Sequence, residues 1–180
     1  MQIVQQHALA EELKKASRQG KRIWTVNMTQ AVMETCSAMG WQASAQGYKG
    51  TSLPQSRGEY LNIDVMAFVP GSSRWLFPVA VMELENQQDD DYIAYNLWKL
   101  LCVRADLRVV YCYRPEAEQG RQLMQLLSQE VVGALPVARR TTLAGETVVV
   151  VGSYAAAETF PYGFFKWWRL DKGVGRLRPF

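Results

Sequence analysis

The chain has 180 residues, 48% of them apolar and 21% charged, with a formal net charge of +3. That size and composition fit one globular domain spanning residues 1–180 and exclude a disordered chain. With one histidine, His7, and three cysteines, Cys36, Cys102 and Cys112, in no Cys-x-x-Cys spacing, Ser-His-Asp triads and Cys/His zinc sites are excluded, and any catalysis must run on carboxylates, lysines or tyrosines.

Residues 5–18 carry Ala8, Leu9, Leu13 and Ala16 near helical spacing and predict a first helix. A second helix should start near Thr25 or Asn27, either an N-cap residue, and stop at Gly40, with Met28, Val32, Cys36 and Met39 as its apolar stripe. Trp41 to Lys49 reads as a short strand before a loop rich in Gly, Ser and Pro. Residues 59–68, ending in the run Leu-Asn-Ile-Asp-Val-Met-Ala-Phe, alternate. Leu61, Ile63, Val65 and Ala67 fall on one face of that strand, Asn62 and Asp64 on the other. Pro70-Gly71-Ser72-Ser73 signals a turn, and residues 75–85 read as the returning strand, buried in its early part on both faces.

Asp89, Asp90 and Asp91 should open a helix over 91–104 as charges complementing its N-terminal dipole. A core strand is expected over 107–113, a helix from Pro115 to about Gly133, and another core strand over 147–153. The tail from Phe160 holds one more extended segment. The order predicts an α/β protein with a mixed central sheet flanked by helices. No apolar run approaches the roughly 18–20 residues that cross a bilayer, and the first residues lack a signal peptide's apolar stretch, so no membrane association and a cytoplasmic location are expected. The three cysteines, each in an apolar stretch, are expected in the core.

Glu83 and Glu85 stand two apart on a predicted strand, so they project from one face while Leu84 points away. Two glutamates at the end of a buried apolar strand raise each other's pKa, and a divalent cation removes that penalty. Mg²⁺ takes one or two carboxylates plus waters and phosphate oxygens, and Asp64 on the neighbouring strand completes such a set. As the plain alternative, the glutamates mark where the strand leaves the core. Glu34 and Gly152-Ser153 read as a solvated helix face and a non-catalytic strand end.

The stretch from Glu59 to Tyr113 resembles the core of PD-(D/E)XK nuclease-like proteins, the restriction endonuclease-like fold. There one strand carries an Asp and the next carries (Asp/Glu)-x-Lys before a helix and another strand. Asp64 matches the Asp, Glu83 the first motif glutamate, and Glu85 stands in the lysine position. The resemblance implies a Mg²⁺- or Mn²⁺-dependent nuclease with Asp64, Glu83 and the Leu84 carbonyl as metal ligands, Glu85 assisting, and DNA favoured over RNA. It also points to Lys99, on the following helix beside Tyr92 and Asn96, as a migrated lysine stabilising phosphorane charge. The alternatives are a non-catalytic nucleic-acid-binding protein on the same fold and a homo-oligomeric assembly protein.

Two features qualify the pattern. A hairpin symmetric about Gly71 and Ser72 would pair Asp64 with Val79 and set Glu83 opposite Tyr60. A bulge near Pro78, or a turn displaced toward Trp75, would bring the two carboxylates together, with Glu59 as a substitute otherwise. The tail interleaves Lys166, Arg169, Lys172, Arg176 and Arg178 with Phe164, Phe165, Trp167 and Trp168, which fits either a nucleic-acid surface or a core and homodimer interface.

Overall fold

The computed structural model describes residues 11–16 and 20–180. His7, with the remainder of the first predicted helix, lies outside these; residues 11–16 are helical, with Leu13 and Ala16 buried. The chain divides into two compact units, Met1–Leu84 and Glu85–Phe180. Both combine helices with sheet, so the protein is α/β.

In the first unit, helix α1 (Lys21–Ala38) starts four residues before the earlier of its two expected caps. Thr25 and Asn27 lie inside it, each donating from its side chain to the carbonyl four residues back, Lys21 and Ile23. Those short polar groups serve a cap and a helix interior by the same kind of bond, which is why the sequence misplaced the start. The end falls as expected: Gly40 has φ +74, a conformation that favours glycine. Met28, Val32 and Cys36 are buried, together with Trp24 and Ala31, but Met39 sits past the last turn and is exposed. Gln30 donates to Glu34 along the polar face.

Three antiparallel strands follow: β1 (Gln42–Ala45), β2 (Val65–Phe68) and β3 (Ala80–Leu84). The expected alternating strand over 59–68 is only its last four residues, all buried. Leu61 and Asn62 adopt φ near +55, so the chain turns there, and Leu61 is exposed. The returning strand is shortened likewise. Trp75 and Phe77 are exposed in the connection, and burial begins at Ala80.

The second unit carries a four-stranded mixed sheet. β4 (Leu107–Arg114) runs parallel to β5 (Glu146–Ser153), and β6 (Phe165–Asp171) and β7 (Arg176–Pro179) extend the sheet antiparallel. Runs of Val and Tyr buried on both faces specify the parallel pair. The tail thus forms a hairpin rather than one extended segment. Helix α2 (Asp90–Leu101) is capped by the Asp89 carboxylate, which accepts from the N–H groups of Asp91 and Tyr92. Helix α3 (Ala117–Leu127) opens on a capping box between Glu116 and Gln119, with Pro115 just outside it. It continues into a π turn, Ser128–Val132, and a short helix α4 (Val137–Thr141) precedes β5.

Helix α3 packs closely on the sheet because it presents Gly120 there. A Cβ at that position would stand 3.4 Å from the Val151 methyl and 3.7 Å from the Trp168 ring. Ser128 joins the π turn to the outer strand, donating to the Met124 carbonyl and accepting from the Leu177 N–H. Arg108 is buried at 1% exposure, and its guanidinium donates to the carbonyls of Leu100, Val103 and Ala144. Cys36 and Cys112 lie in the core; Cys102, just past α2, is exposed, contrary to expectation. No helix among the described residues is long and apolar enough to cross a membrane.

Candidate functional site

Asp64 is the residue at which the first unit's chain enters β2. Tyr60 and Ile63 bridge across the turn at Leu61 and Asn62, with the Ile63 N–H donating to the Tyr60 carbonyl at 3.1 Å. Val65 then pairs with Met82. The ladder ends at that pair, with Asp64 just before β2 and Glu83 one residue beyond Met82 on β3. The midpoint of the hairpin therefore lies between Ser73 and Arg74, displaced toward Trp75 from the symmetric turn. The ladder is also irregular next to Pro78: the Val79 N–H donates at 2.9 Å to the carbonyl of Ala67, a residue already paired with Ala80.

The Asp64 carboxylate accepts a hydrogen bond from the Leu84 N–H at 2.7 Å, which fixes it beside the peptide that follows Glu83. Glu83 is only 3% exposed, on a strand whose other residues, Ala80, Val81, Met82 and Leu84, are all apolar and buried. Desolvating a carboxylate in such surroundings costs several kcal/mol. Two carboxylates and the Leu84 carbonyl make an all-oxygen donor set, the kind hard cations such as Mg²⁺ and Mn²⁺ prefer. Among the described residues, no group of three or more His, Cys, Asp or Glu side chains is placed to hold a metal ion. A cation here would rest on two carboxylates and complete its shell with water or phosphate oxygens, which is ordinary for Mg²⁺.

Glu85 and Lys99 belong to the second unit. The Glu85 N–H donates to the Tyr111 carbonyl at 2.9 Å, beginning that unit beside β4. Its carboxylate accepts from the Gln87 N–H at 2.6 Å and from the Asn96 side-chain amide at 3.0 Å. Asn96 is buried on α2 with Ile93, Leu97 and Leu100, so it lies within the apolar stripe and orients Glu85 from there. Tyr92 is exposed, and Leu101 is only partly buried. Lys99 is half-buried, its Nζ 5.8 Å from the centroid of Tyr95, whose ring stacks on Trp98 at 5.9 Å.

A second charged group went unnoticed in the sequence. Arg114, at the end of β4 and 5% exposed, donates to the Asp90 carboxylate and to the Tyr113 carbonyl. A depression of about 270 Å³ beside it is lined by Gln88, Gln119 and Gln122. The available signal was an arginine ending an apolar strand. Burial pushes the neighbouring Cys112 thiol up to about 12, outweighing the opposing Arg114 charge, and pushes Cys36 up to about 11. Both stay neutral thiols, not nucleophiles. Gly152-Ser153 is structural as expected: Ser153 Oγ donates to the Pro115 carbonyl, and a Cβ on Gly152 would come within 2.6 Å of the Tyr113 and Phe164 rings.

In the tail, Phe164, Phe165 and Trp168 are buried, as the core reading expects, while Trp167 is partly exposed. Lys172 is a structural cation, its amine donating to the carbonyls of Leu143 and Gly145. No family model matches the chain, and no curated protein matches it.

Proposed function

We propose that this protein is a divalent-metal-dependent phosphodiesterase acting on nucleic acid, built on a restriction endonuclease-like core. One observation carries the reading: the Leu84 N–H donates to the Asp64 carboxylate at 2.7 Å, which ties it to the peptide that follows the buried Glu83. Asp64, Glu83 and the Leu84 carbonyl would hold Mg²⁺ or Mn²⁺. When bound there, the cation polarises a phosphate oxygen and lowers the pKa of a coordinated water. Asp64 contributes a pre-oriented carboxylate, since its rotamer is fixed before ligand arrives. Glu83 contributes a desolvated one, whose pull on a cation is less screened than at the surface. Glu85 and Lys99 are assigned to this chemistry by the resemblance alone.

The second reading is a nucleic-acid-binding protein without catalysis. It draws on Glu85, which stands where the motif has lysine and whose carboxylate is engaged by Gln87 and Asn96. Calorimetry with Mn²⁺, run beside cleavage of plasmid, single-stranded DNA and RNA, separates the two. The nuclease reading expects Mn²⁺ binding that is lost in Asp64→Asn and Glu83→Gln, together with metal-dependent cleavage. Wild-type protein that binds nucleic acid but neither binds Mn²⁺ nor cleaves overturns it in favour of the second.

A further inference from the structure

Rows of side chains cross the outer strands of the second unit on one sheet face. Val148 pairs with Arg169, and Arg169 with Arg178. In the next row on that face, Val150 pairs with Trp167, and Phe180 closes the row by donating its N–H to the Trp167 carbonyl at 3.3 Å. Two arginines directly opposite each other on an antiparallel pair repel, a cost that the Asp171 carboxylate, attracted by both, offsets in part and a bound anion would offset further. Arg178 meets Asp171 at 3.4 Å and stays 57% exposed, so the contact is a loose surface pair. The Arg169 guanidinium lies 5.6 Å from the centroid of the Phe180 ring. That ring is 67% exposed and stands edge-on to Trp167 at 6.4 Å. Arg169, Arg178 and Phe180 line an open depression of about 430 Å³, with Glu146 and Asp171 as its acidic residues.

We propose that this face binds single-stranded nucleic acid, one phosphate seated between Arg169 and Arg178 and an adjacent base stacked on Phe180. The paired guanidiniums supply the anion-complementary charge, and the aromatic ring beside them selects the ligand. A duplex keeps its base faces in its own stack, so an aromatic platform rewards unpaired bases only. The proposal rests on the nucleic-acid part of the reading above and not on the metal.

The test is fluorescence anisotropy with a labelled oligo(dT) in EDTA, across roughly 50–200 mM salt. Arg169→Glu/Arg178→Glu should weaken binding more than tenfold and lower the slope of log affinity against log salt by about 0.7, one phosphate contact's worth on a single strand. Phe180→Ala should weaken it by about tenfold and leave the slope unchanged. Arg169→Gln/Arg178→Gln, checked for folding by circular dichroism, should reproduce the slope change without charge reversal. Undetectable binding by the wild type, or wild-type affinity in all three variants, overturns the proposal. Equal affinity for a hairpin duplex, with no effect of Phe180→Ala, overturns the single-strand assignment. A changed oligomer size at unchanged affinity makes the face an interface between copies instead. Intact binding in EDTA by a protein that takes up no Mn²⁺ would sink the nuclease reading while leaving this surface standing.

Discussion

The β2–β3 and β6–β7 hairpins place charge in opposite ways. In the first, the strands are buried throughout, and Glu83 lies inside at 3% exposure while Asp64 is tied to the Leu84 N–H. In the second, Trp168, Leu170 and Leu177 face the helical side while Arg169 and Arg178 stand outside, opposite each other. Taking a carboxylate out of water costs several kcal/mol, whereas two like charges facing each other at the surface cost a few tenths. A charge kept in the first setting therefore says more about selection for a site than one kept in the second.

The sharpest way to break that contrast is Glu83→Gln. Cleavage should fall by about a thousandfold, the several kcal/mol that a metal's charge stabilisation supplies. Circular dichroism should show the variant folded, and cleavage equal to the wild type's would remove Glu83 from the site. Next in size, Asp64→Ala strips the Leu84 N–H of its acceptor and should cost about 1–3 kcal/mol in urea unfolding. Replacing Arg169 and Arg178 together by threonine should change stability by less than about 0.5 kcal/mol, the lost repulsion being offset by loss of the exposed Arg178–Asp171 pair.

The smallest effect concerns pH. The Val174 N–H, at 3.0 Å, and then the Arg178 charge hold the Asp171 carboxyl below the usual carboxylate range. A carboxyl lowered in the folded state stabilises above its unfolded value, near 4, and loses that contribution as pH falls through the lower folded value. Asp171→Asn should therefore flatten the acid limb of the stability curve below about pH 4 and leave neutral pH nearly unchanged, as read by melts over an acid series.

The parallel pair was legible because unbroken runs such as Val148–Val151 have few other ways to be satisfied. The start of α2 was legible too from its three aspartates, although they read as charges on the helix dipole whereas Asp89 is the cap. The start of β2 was not. Nothing in the composition of Leu61 announces a positive φ, which a bulky residue adopts only under tertiary constraint. The tail hairpin turns through Asp171 to Gly175, where Gly175 has φ +77, and the glycines there were an available signal. The approach of Asp64 to the Glu83 strand could be posed from sequence but not decided. Register followed from an irregular connection at Val79, where no tight-turn residues set it.

Arg108 gives the second unit a shared fate for segments far apart in sequence. Its guanidinium satisfies carbonyls at the end of α2 and at Ala144, in the approach to β5. Burial lowers its pKa, yet an arginine still cannot shed its proton. If either segment frays, a cation is left in the core without its acceptors, at a cost of several kcal/mol. Local opening at one end is thereby suppressed until the other opens with it. The amides of Cys102 and Val103, bonded at the helix end, and of Glu146, bonded to the Asp106 carbonyl at 2.7 Å, should exchange with solvent deuterium through one common event.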